Sequence, residues 1–159
     1  MDKQFKHAFT FGRFNLLHIG HVDLFQKMSD VAEIVTVGIS TGPKNLPHRD
    51  RSVVISKWSD FEAPDLELRL IPRLQPFDLF RELPIGYNPS EVVFFVGEDQ
   101  YKLAKAIERS LGFNITTIPR LGSSTLVRQS IDNEDWDLLS GMVPGSIIND
   151  VIQLHLTNA

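Results

Sequence analysis

Short runs of apolar residues without polar alternation mark the strands of this chain. The clearest run is Val92–Val96, which is β-branched or aromatic throughout, as in a strand buried on both faces of a sheet. Glu33–Ile39 and Ala8–Phe11 have the same character, and Leu66–Ile71 and Asn114–Ile118 are weaker examples. The pattern therefore predicts five short strands.

Between the strands, apolar residues recur every three or four positions, which is the spacing of an amphipathic helix. One stripe covers 19–32, a second covers 103–111 with Gly112 as its stop, and a third covers 148–155. The stripes consist of Ile19, Val22, Phe25, Met28 and Ala32, of Leu103, Ile107 and Leu111, and of Ile148, Val151, Ile152 and His155. Strand and helix alternate, which predicts an α/β, Rossmann-like fold: a parallel five-stranded sheet with helices on both faces.

Two stretches follow neither pattern. Residues 40–51 are polar, basic and interrupted by Pro and Gly, so they are predicted to form a loop. Residues 72–89 contain four prolines and room for one short helix at Asp78–Leu83. In an open parallel sheet, ligands bind beyond the carboxyl ends of the strands. We therefore expect functional residues in the loops that follow Phe11, Ile39, Val96 and Ile118.

The composition is that of an ordinary globular protein and excludes several classes of function. The chain has 159 residues, which predicts one domain over 1–159, and its 16 Lys plus Arg against 20 Asp plus Glu give a net charge of −4. A mildly acidic chain lacks the broad basic surface that nucleic acid requires, so nucleic acid is not an expected partner. The absence of cysteine rules out disulfides, thiolate zinc sites and a cysteine nucleophile. With no apolar segment long enough for a signal or a bilayer, we expect a cytoplasmic protein without a membrane partner.

The first chemical motif, Gly12 to His21, follows the first predicted strand and runs into the first helix. His18 and His21 lie three positions apart, so at a helix start both project from one face, beside unpaired backbone N–H groups and the positive end of the dipole. Gly20 lets a ligand approach the backbone closely. The combination is typical of an anion site. Two other interpretations are a metal site, for which no third ligand is evident, and a chance pair of surface histidines.

The second motif, Gly122 to Arg128, follows the fifth predicted strand and opens a helix. Because Ser and Thr are preferred N-caps, one interpretation of Ser123, Ser124 and Thr125 is simply a capped helix. The other is a second anion site, where hydroxyls and amides hold phosphate oxygens and Arg128 supplies a charge-assisted hydrogen bond. Since the motifs follow the first and fifth strands, two helix N-termini are expected to converge on one cleft.

Together, H-x-G-H at 18–21 and S-S-T-x-x-R at 123–128 resemble the paired motifs of the nucleotidyltransferase superfamily. The resemblance spans nearly the whole chain and implies the HIGH nucleotidyltransferase fold. It also implies a homo-oligomer and a reaction in which a phosphate-bearing acceptor attacks the α-phosphorus of a nucleoside triphosphate, with Mg²⁺ accompanying pyrophosphate release. Carried onto matching positions, it implies catalytic roles for His18, His21 and Arg128 and nucleotide contacts from Gly12, Arg13, Phe14, Asn15, Gly20, Ser123, Ser124 and Thr125.

The subfamily is indicated by segments that point in different directions. The first motif is similar to the G-R-F-Q-P-F-H-x-G-H of archaeal-type nicotinamide mononucleotide adenylyltransferases, with Asn15 and Leu16 in place of Gln and Pro. Gly97-Glu98-Asp99 resembles a G-D/E-D stretch of cytidylyltransferases for alcohol phosphates, as does Arg120 shortly before the second motif. The leading expectation is transfer from ATP to nicotinamide mononucleotide. The alternatives are a cytidylyltransferase that uses CTP and an alcohol or sugar phosphate, an enzyme like phosphopantetheine adenylyltransferase, and a non-catalytic nucleotide-binding module.

Secondary candidates for substrate binding surround these motifs. Gly97, Glu98 and Asp99 end the fourth predicted strand, where the carboxylates could bind a ribose hydroxyl or the acceptor, or could cap the following helix. Lys44 and Arg51 lie in the predicted loop after the second strand, which either closes on phosphates or stays solvated.

Overall fold

The centre of the molecule is a sheet of five parallel strands, seen in a computed structural model that describes residues 3–119 and 122–158. The five predicted strands are confirmed as β1 (Phe5–Gly12), β2 (Ala32–Ser40), β3 (Leu68–Arg73), β4 (Val92–Gly97) and β5 (Asn114–Ile118). They are hydrogen-bonded in the order β3-β2-β1-β4-β5, each parallel to its neighbours. The chain reverses its direction of travel across the sheet between β1 and β4, and open sheets bind ligands at the carboxyl edge beside such a reversal.

Helices cover both faces of this sheet, as the alternation predicts. The described α-helices are α1 (Ile19–Val31), α2 (His48–Glu62), α3 (Tyr101–Leu111), α4 (Ser124–Asp132), α5 (Trp136–Ser140) and α6 (Ile148–Thr157). Short 3-10 segments occur at Pro76–Glu82, Pro89–Glu91, Glu98–Gln100 and Gly145–Ile147. One core lies under α1, α2, α4, α5 and α6, and the other under α3 and the 3-10 segment Pro76–Glu82. In the part of the chain that the structure describes, no helix combines the length and apolar character of a bilayer span.

Strand β4 shows why an unbroken apolar run forms the middle of such a sheet. Val93 and Phe95 belong to one core, whereas Val92, Phe94 and Val96 belong to the other. None of the five is more than 4% exposed. Because successive side chains of a strand point to opposite faces, a strand with a core on each side has no polar positions. Each such side chain stabilises the fold by roughly 1.5–3 kcal/mol through burial.

The loop prediction for residues 40–51 is wrong at its carboxyl end, because α2 begins at His48. The buried face of this helix consists of Arg51, Val54, Ile55, Trp58 and Ser59. Its first turn is charged and follows Pro47, so the apolar spacing that signals a helix starts only at Val54. The loop after β2 is therefore confined to residues 41–47.

Two predicted boundaries also differ from the structure. Ala32, the last member of the first helical stripe, is the first residue of β2, and its N–H donates to the Met28 carbonyl at the end of α1. The helix predicted at Asp78–Leu83 is a 3-10 segment over Pro76–Glu82. Helix α1 therefore passes directly into β2 without a connecting loop.

Gly112 ends α3 in the left-handed conformation, with φ of +71°, as the sequence predicts for a helix stop. A Cβ at this position would come no nearer than 3.9 Å to Pro89, so Gly112→Ala tests the backbone cost alone. We expect the free energy of unfolding in urea to fall by about 1 kcal/mol. The matched control is Gly141→Ala, at a helix end with φ of −83°, which should change stability much less. Equal losses in both variants would contradict this account of the Gly112 turn.

Candidate functional site

A cleft of about 560 Å³ lies at the carboxyl edge of the sheet, where β1, β4 and β5 end. The N-termini of α1 and α4 both open onto it, so the predicted convergence of the two motifs is present. The predicted site residues that line it are Gly12, Arg13, Phe14, Asn15, His18, Gly20, His21, Lys44, Gly97, Asp99, Ser124, Thr125 and Arg128. A second depression runs along α2 alone and lies away from both motifs.

The two histidines are fixed by a reciprocal cap at the start of α1. His18 is the N-cap residue, and its Nδ1 accepts from the Gly20 backbone N–H at 3.0 Å. The Nδ1 of His21 accepts from the His18 backbone N–H at 3.2 Å, and the two rings stack with their centroids 3.8 Å apart. A neutral imidazole that accepts through Nδ1 carries its proton on Nε2. Both rings are therefore held in the tautomer that can donate a hydrogen bond through Nε2.

The turn before the histidines is shaped by Phe14, which adopts a left-handed backbone with φ of +53°. Its ring is 5% exposed and packs edge-on against His21, with the centroids 5.0 Å apart. A Cβ on Gly12 would lie 3.0 Å from this ring, so Gly12 provides room for it. A non-glycine residue at positive φ is strained, and the burial of the ring helps to offset that cost. Phe14 therefore contributes shape to the cleft more than polar contacts.

The second motif begins a capped helix and is also hydrogen-bonded to the backbone of the first motif. Ser123 is the N-cap of α4, and its Oγ accepts from the Leu126 N–H at 3.2 Å, outside the cleft lining. Ser124 Oγ donates to the Leu16 carbonyl at 3.0 Å. Arg128 donates to the Asn15 carbonyl at 2.8 Å and to Thr125 Oγ1 at 3.2 Å. A guanidinium has five N–H donors, so these two contacts leave others for an anion in the cleft. Arg120 lies outside the described residues.

Gly122 brings the second motif against the first. It has φ of +71°, and a Cβ built on it would lie 2.7 Å from His18 Nδ1 and 3.0 Å from Cε1. No side chain fits there unless the His18 ring moves. The sequence signal for this close contact is a glycine directly before Ser123. The motif prediction contains Gly122 but assigns it no role.

Asn15 connects the first motif to the loop after β2. Its Oδ1 accepts from the Leu46 N–H at 3.2 Å, and its Nδ2 donates to Asn45 Oδ1 at 2.8 Å. Asn45 in turn donates to the Gly42 carbonyl at 3.1 Å. These contacts order the loop that carries Lys44, which is exposed and lines the cleft. Asn45 is a positioning residue that sequence reasoning missed, because a polar residue in a polar loop carries no pattern.

Arg51 does not line the cleft, contrary to the prediction that a mobile loop would carry it there. It lies on the buried face of α2 and is 2% exposed. Its two terminal nitrogens donate to the Arg13 carbonyl at 2.6 Å and to the Ser40 carbonyl at 2.7 Å. Burial lowers the pKa of this guanidinium below its ordinary value, because a buried charge loses its hydration. Arg51 thus fastens the turn after β1 to the end of β2.

The carboxylates after β4 have separate positions. Asp99 lines the cleft, whereas Glu98 is exposed outside it. Neither caps a helix, since the N-caps of the 3-10 segment and of α3 are Gly97 and Gln100 and neither cap has a side-chain hydrogen bond. A Cβ on Gly97 would lie 2.7 Å from Asp99 Oδ1, so the glycine lets this carboxylate fold back over the strand end. Gln100 and Thr10 also line the cleft and were missed.

The cleft is positive although the chain is not. Its described lining carries the cations Arg13, Lys44 and Arg128 and a single carboxylate, Asp99, in a chain of net charge −4. Two helix N-termini add their partial positive charges at the same place. Over residues 3–119 and 122–158, no group of three His, Asp or Glu side chains is arranged to hold a metal ion. The arrangement is chemically suited to a ligand with several negative charges.

Gly122→Ala should destabilise the protein more than Gly86→Ala. Gly86 also has positive φ, +80°, but nothing lies within 4 Å of its Cβ position, so the two variants share the backbone cost. Only Gly122→Ala must also displace the His18 ring, which we expect to add roughly 1–3 kcal/mol. The measurement is urea unfolding of both variants. A loss at Gly122 no larger than that at Gly86 would show that the ring accommodates the methyl group freely.

Comparison with known proteins agrees with this geometry. The model of the cytidylyltransferase-like family matches residues 9–130. No curated protein sequence matches the chain. Among solved structures, the nicotinic acid mononucleotide adenylyltransferase of Plasmodium falciparum, complexed with NaAD, is similar at 16% identity and a TM-score of 0.70 over 97% of this chain and 98% of that one.

Two further structures are similar. A Vibrio parahaemolyticus protein described as a nicotinate-nucleotide adenylyltransferase matches at 15% identity and a TM-score of 0.69, over 96% of this chain and 99% of that one. A bifunctional NMN adenylyltransferase/ADP ribose pyrophosphatase from Francisella tularensis matches at 14% identity and a TM-score of 0.65, over 97% of this chain and 53% of that one. At such identities the likeness shows the fold, and it confirms the predicted fold class. Because the matched family region contains both motifs, the chain belongs to the cytidylyltransferase-like family, within the nucleotidyltransferase superfamily.

Proposed function

We propose that the protein transfers an adenylyl group from ATP to a pyridine mononucleotide, with nicotinamide mononucleotide as the leading acceptor, and releases pyrophosphate. The observation that carries the proposal is the convergence of two helix N-termini and three cationic side chains on one cleft. The similar structures named for adenylyl transfer to nicotinic acid or nicotinamide mononucleotide support the choice of acceptor. The first motif, with its similarity to adenylyltransferases, supports the choice of ATP.

In this proposal the triphosphate lies across the start of α1 and reaches α4. His18 and His21 contact the phosphates through Nε2–H, because their Nδ1 atoms are occupied by backbone N–H groups. Ser124, Thr125 and Arg128 hold the β- and γ-phosphates, and Arg13 contacts a phosphate of either substrate. Lys44 approaches from the loop after β2. Each of these side chains lines the cleft.

The reaction needs positioning and charge stabilisation more than proton transfer. An ionised oxygen of the acceptor phosphate forms a bond to the α-phosphorus, while the bond from that phosphorus to the bridging oxygen breaks. Pyrophosphate leaves with the electron pair, so atoms and charge balance without a covalent enzyme intermediate. Because the attacking phosphate is already ionised, no residue must act as a general base. The histidines and Arg128 stabilise the negative charge that builds on the transferring and leaving groups.

Mg²⁺ is part of the proposal as a companion of the triphosphate. The ion prefers oxygen ligands and is commonly held by one or two carboxylates together with substrate phosphates. Asp99 is the one carboxylate in the described lining, so the residues fit an ion that the phosphates bring in. The ion would supply neutralisation of phosphate charge. The resemblance also implies a homo-oligomer, which sedimentation equilibrium measures directly.

The second candidate is a cytidylyltransferase that acts on an alcohol or sugar phosphate. The observation that favours it is Asp99 in the cleft, at the end of the Gly97-Glu98-Asp99 stretch that resembles those enzymes. The name of the matched family points in the same direction. The two candidates share the phosphate site and differ in the base and the acceptor.

Pyrophosphate release in the presence of Mg²⁺ separates the two candidates. The panel crosses ATP and CTP with nicotinamide mononucleotide, nicotinic acid mononucleotide, phosphopantetheine, glycerol phosphate and phosphocholine. We expect release with ATP and a pyridine mononucleotide. Release only with CTP and an alcohol phosphate would replace the leading candidate by the second. Release only with ATP and phosphopantetheine would instead indicate an enzyme like phosphopantetheine adenylyltransferase.

His21→Ala should lower the turnover number by about a hundredfold or more, because it removes a donor that stabilises developing phosphate charge. It also removes the acceptor of the His18 N–H, which costs about 1 kcal/mol of stability, so the rate is expressed per folded protein. His48→Ala, on the exposed start of α2, is the matched control and should leave the rate unchanged. An unaltered rate in His21→Ala would refute the role of this ring. Nucleotide binding by wild type with no turnover for any acceptor would favour a non-catalytic module.

A further inference from the structure

We infer that the guanidinium of Arg51 strengthens phosphate binding in the cleft without touching the ligand, by acting through the peptide bond between Arg13 and Phe14. The inference rests on the proposed function, since it takes the ligand to be a polyphosphate. It assigns Arg51 a positioning and electrostatic role in place of the direct contact predicted from the sequence.

The first observation is that Arg51 is a buried cation whose hydrogen bonds go to neutral groups. It is 2% exposed, and its terminal nitrogens donate to the carbonyls of Arg13 and Ser40 at 2.6 and 2.7 Å. Its Nε is buried and has no hydrogen-bond partner. In the described parts of the chain, no carboxylate lies within ion-pair distance of it. A buried charge without a counter-charge is costly, and two carbonyl oxygens offset only part of that cost.

The second observation is where this charge lies. Arg13 lines the cleft, and its carbonyl is the acceptor of the shorter Arg51 hydrogen bond. The guanidinium is therefore one peptide group away from the cleft wall. An anion bound in the cleft would supply a counter-charge to this cation. In a setting of low dielectric, a fixed charge at this range acts more strongly than an equal charge in water.

The peptide between Arg13 and Phe14 transmits part of the effect. This peptide is trans, so its N–H, which belongs to Phe14, points away from the carbonyl that Arg51 holds. A carbonyl that accepts from a cation polarises its own peptide and makes the N–H a stronger donor. Phe14 lines the cleft at a strained backbone angle, which the Arg51 contact helps to hold.

Arg51 also differs from the other cations of the site in being immobile before the ligand arrives. Arg13 and Lys44 are exposed and lose side-chain freedom when they close on a phosphate. Arg51 is packed on the buried face of α2, so its side chain has no such freedom left to lose. A charge that is already in place costs no reorganisation, which makes it efficient in binding and in stabilising the transition state.

The test is calorimetric titration with inorganic pyrophosphate and with ATP. The variants are Arg51→Gln, which removes the charge but keeps an N–H₂ donor, and Arg51→Lys, which keeps the charge but not the two-pronged geometry. Arg49→Gln is the matched control, because it removes the same charge two residues away, outside the cleft lining. We expect Arg51→Gln to weaken binding about tenfold or more, from the Coulomb energy at such a range. Arg51→Lys should recover most of the affinity, and Arg49→Gln should match wild type.

Each other result has a definite meaning. Wild-type affinity in Arg51→Gln overturns the inference, because the charge would then have no effect on binding. Affinity in Arg51→Lys as weak as in Arg51→Gln also overturns it, because the effect would then follow the hydrogen-bond geometry and not the charge. If Arg51→Gln melts below the working temperature, the titrations are repeated for all variants in trimethylamine N-oxide, which favours the folded state. Wild type that binds neither pyrophosphate nor ATP overturns the proposed function together with this inference. If wild type binds these ligands and Arg51→Gln binds them equally well, the inference is overturned and the proposed function is not.

Discussion

The cleft depends on hydrogen bonds that α4 donates to the backbone of the first motif. Ser124 bonds to the Leu16 carbonyl and Arg128 to the Asn15 carbonyl, joining positions 108 and 113 residues apart in the chain. Strands β1 and β5 are not neighbours in the sheet, because β4 lies between them. These two bonds therefore join the motifs across the width of β4, and both helix N-termini line one cleft.

The same polar groups stabilise the structure and, in the proposed reaction, contact the phosphates. Nδ1 of each histidine is used as a capping acceptor, which places the ring proton on Nε2. Arg128 is held by one carbonyl and one hydroxyl, so its fork is oriented before any anion binds. Such pre-orientation is the main contribution that a protein makes to transfer between phosphates, where little proton chemistry is needed. Rigidity at this edge of the sheet is thus a requirement of the proposed reaction.

The sequence predicts what short-range patterns encode and misses what packing decides. The unbroken apolar run in β4, the stop at Gly112 and the two motifs are local signals, and each appears where the pattern places it. Helix α2 was missed because its first turn is charged and only its later turns carry apolar residues. The burial of Arg51 follows from the packing of that helix on the sheet, which no spacing reveals. The separation of Asp99 from Glu98 depends on a chain fold over Gly97, which is likewise invisible in the sequence.

The direct passage from Val31 into Ala32 makes α1 a spacer of fixed length between the histidines and the central strands. Each residue of an α-helix turns the chain by about 100° and advances it by about 1.5 Å. One inserted or deleted residue within α1 would thus rotate His18 and His21 away from the cleft, or would shift the register of β2 against β1, since no loop separates α1 from β2 to absorb the change. The segment between Leu83 and Asn88 connects two 3-10 segments, and nothing lies within 4 Å of a Cβ built on its Gly86. Insertion of a peptide or a fused domain is accordingly best placed there, and the length of α1 should be kept constant.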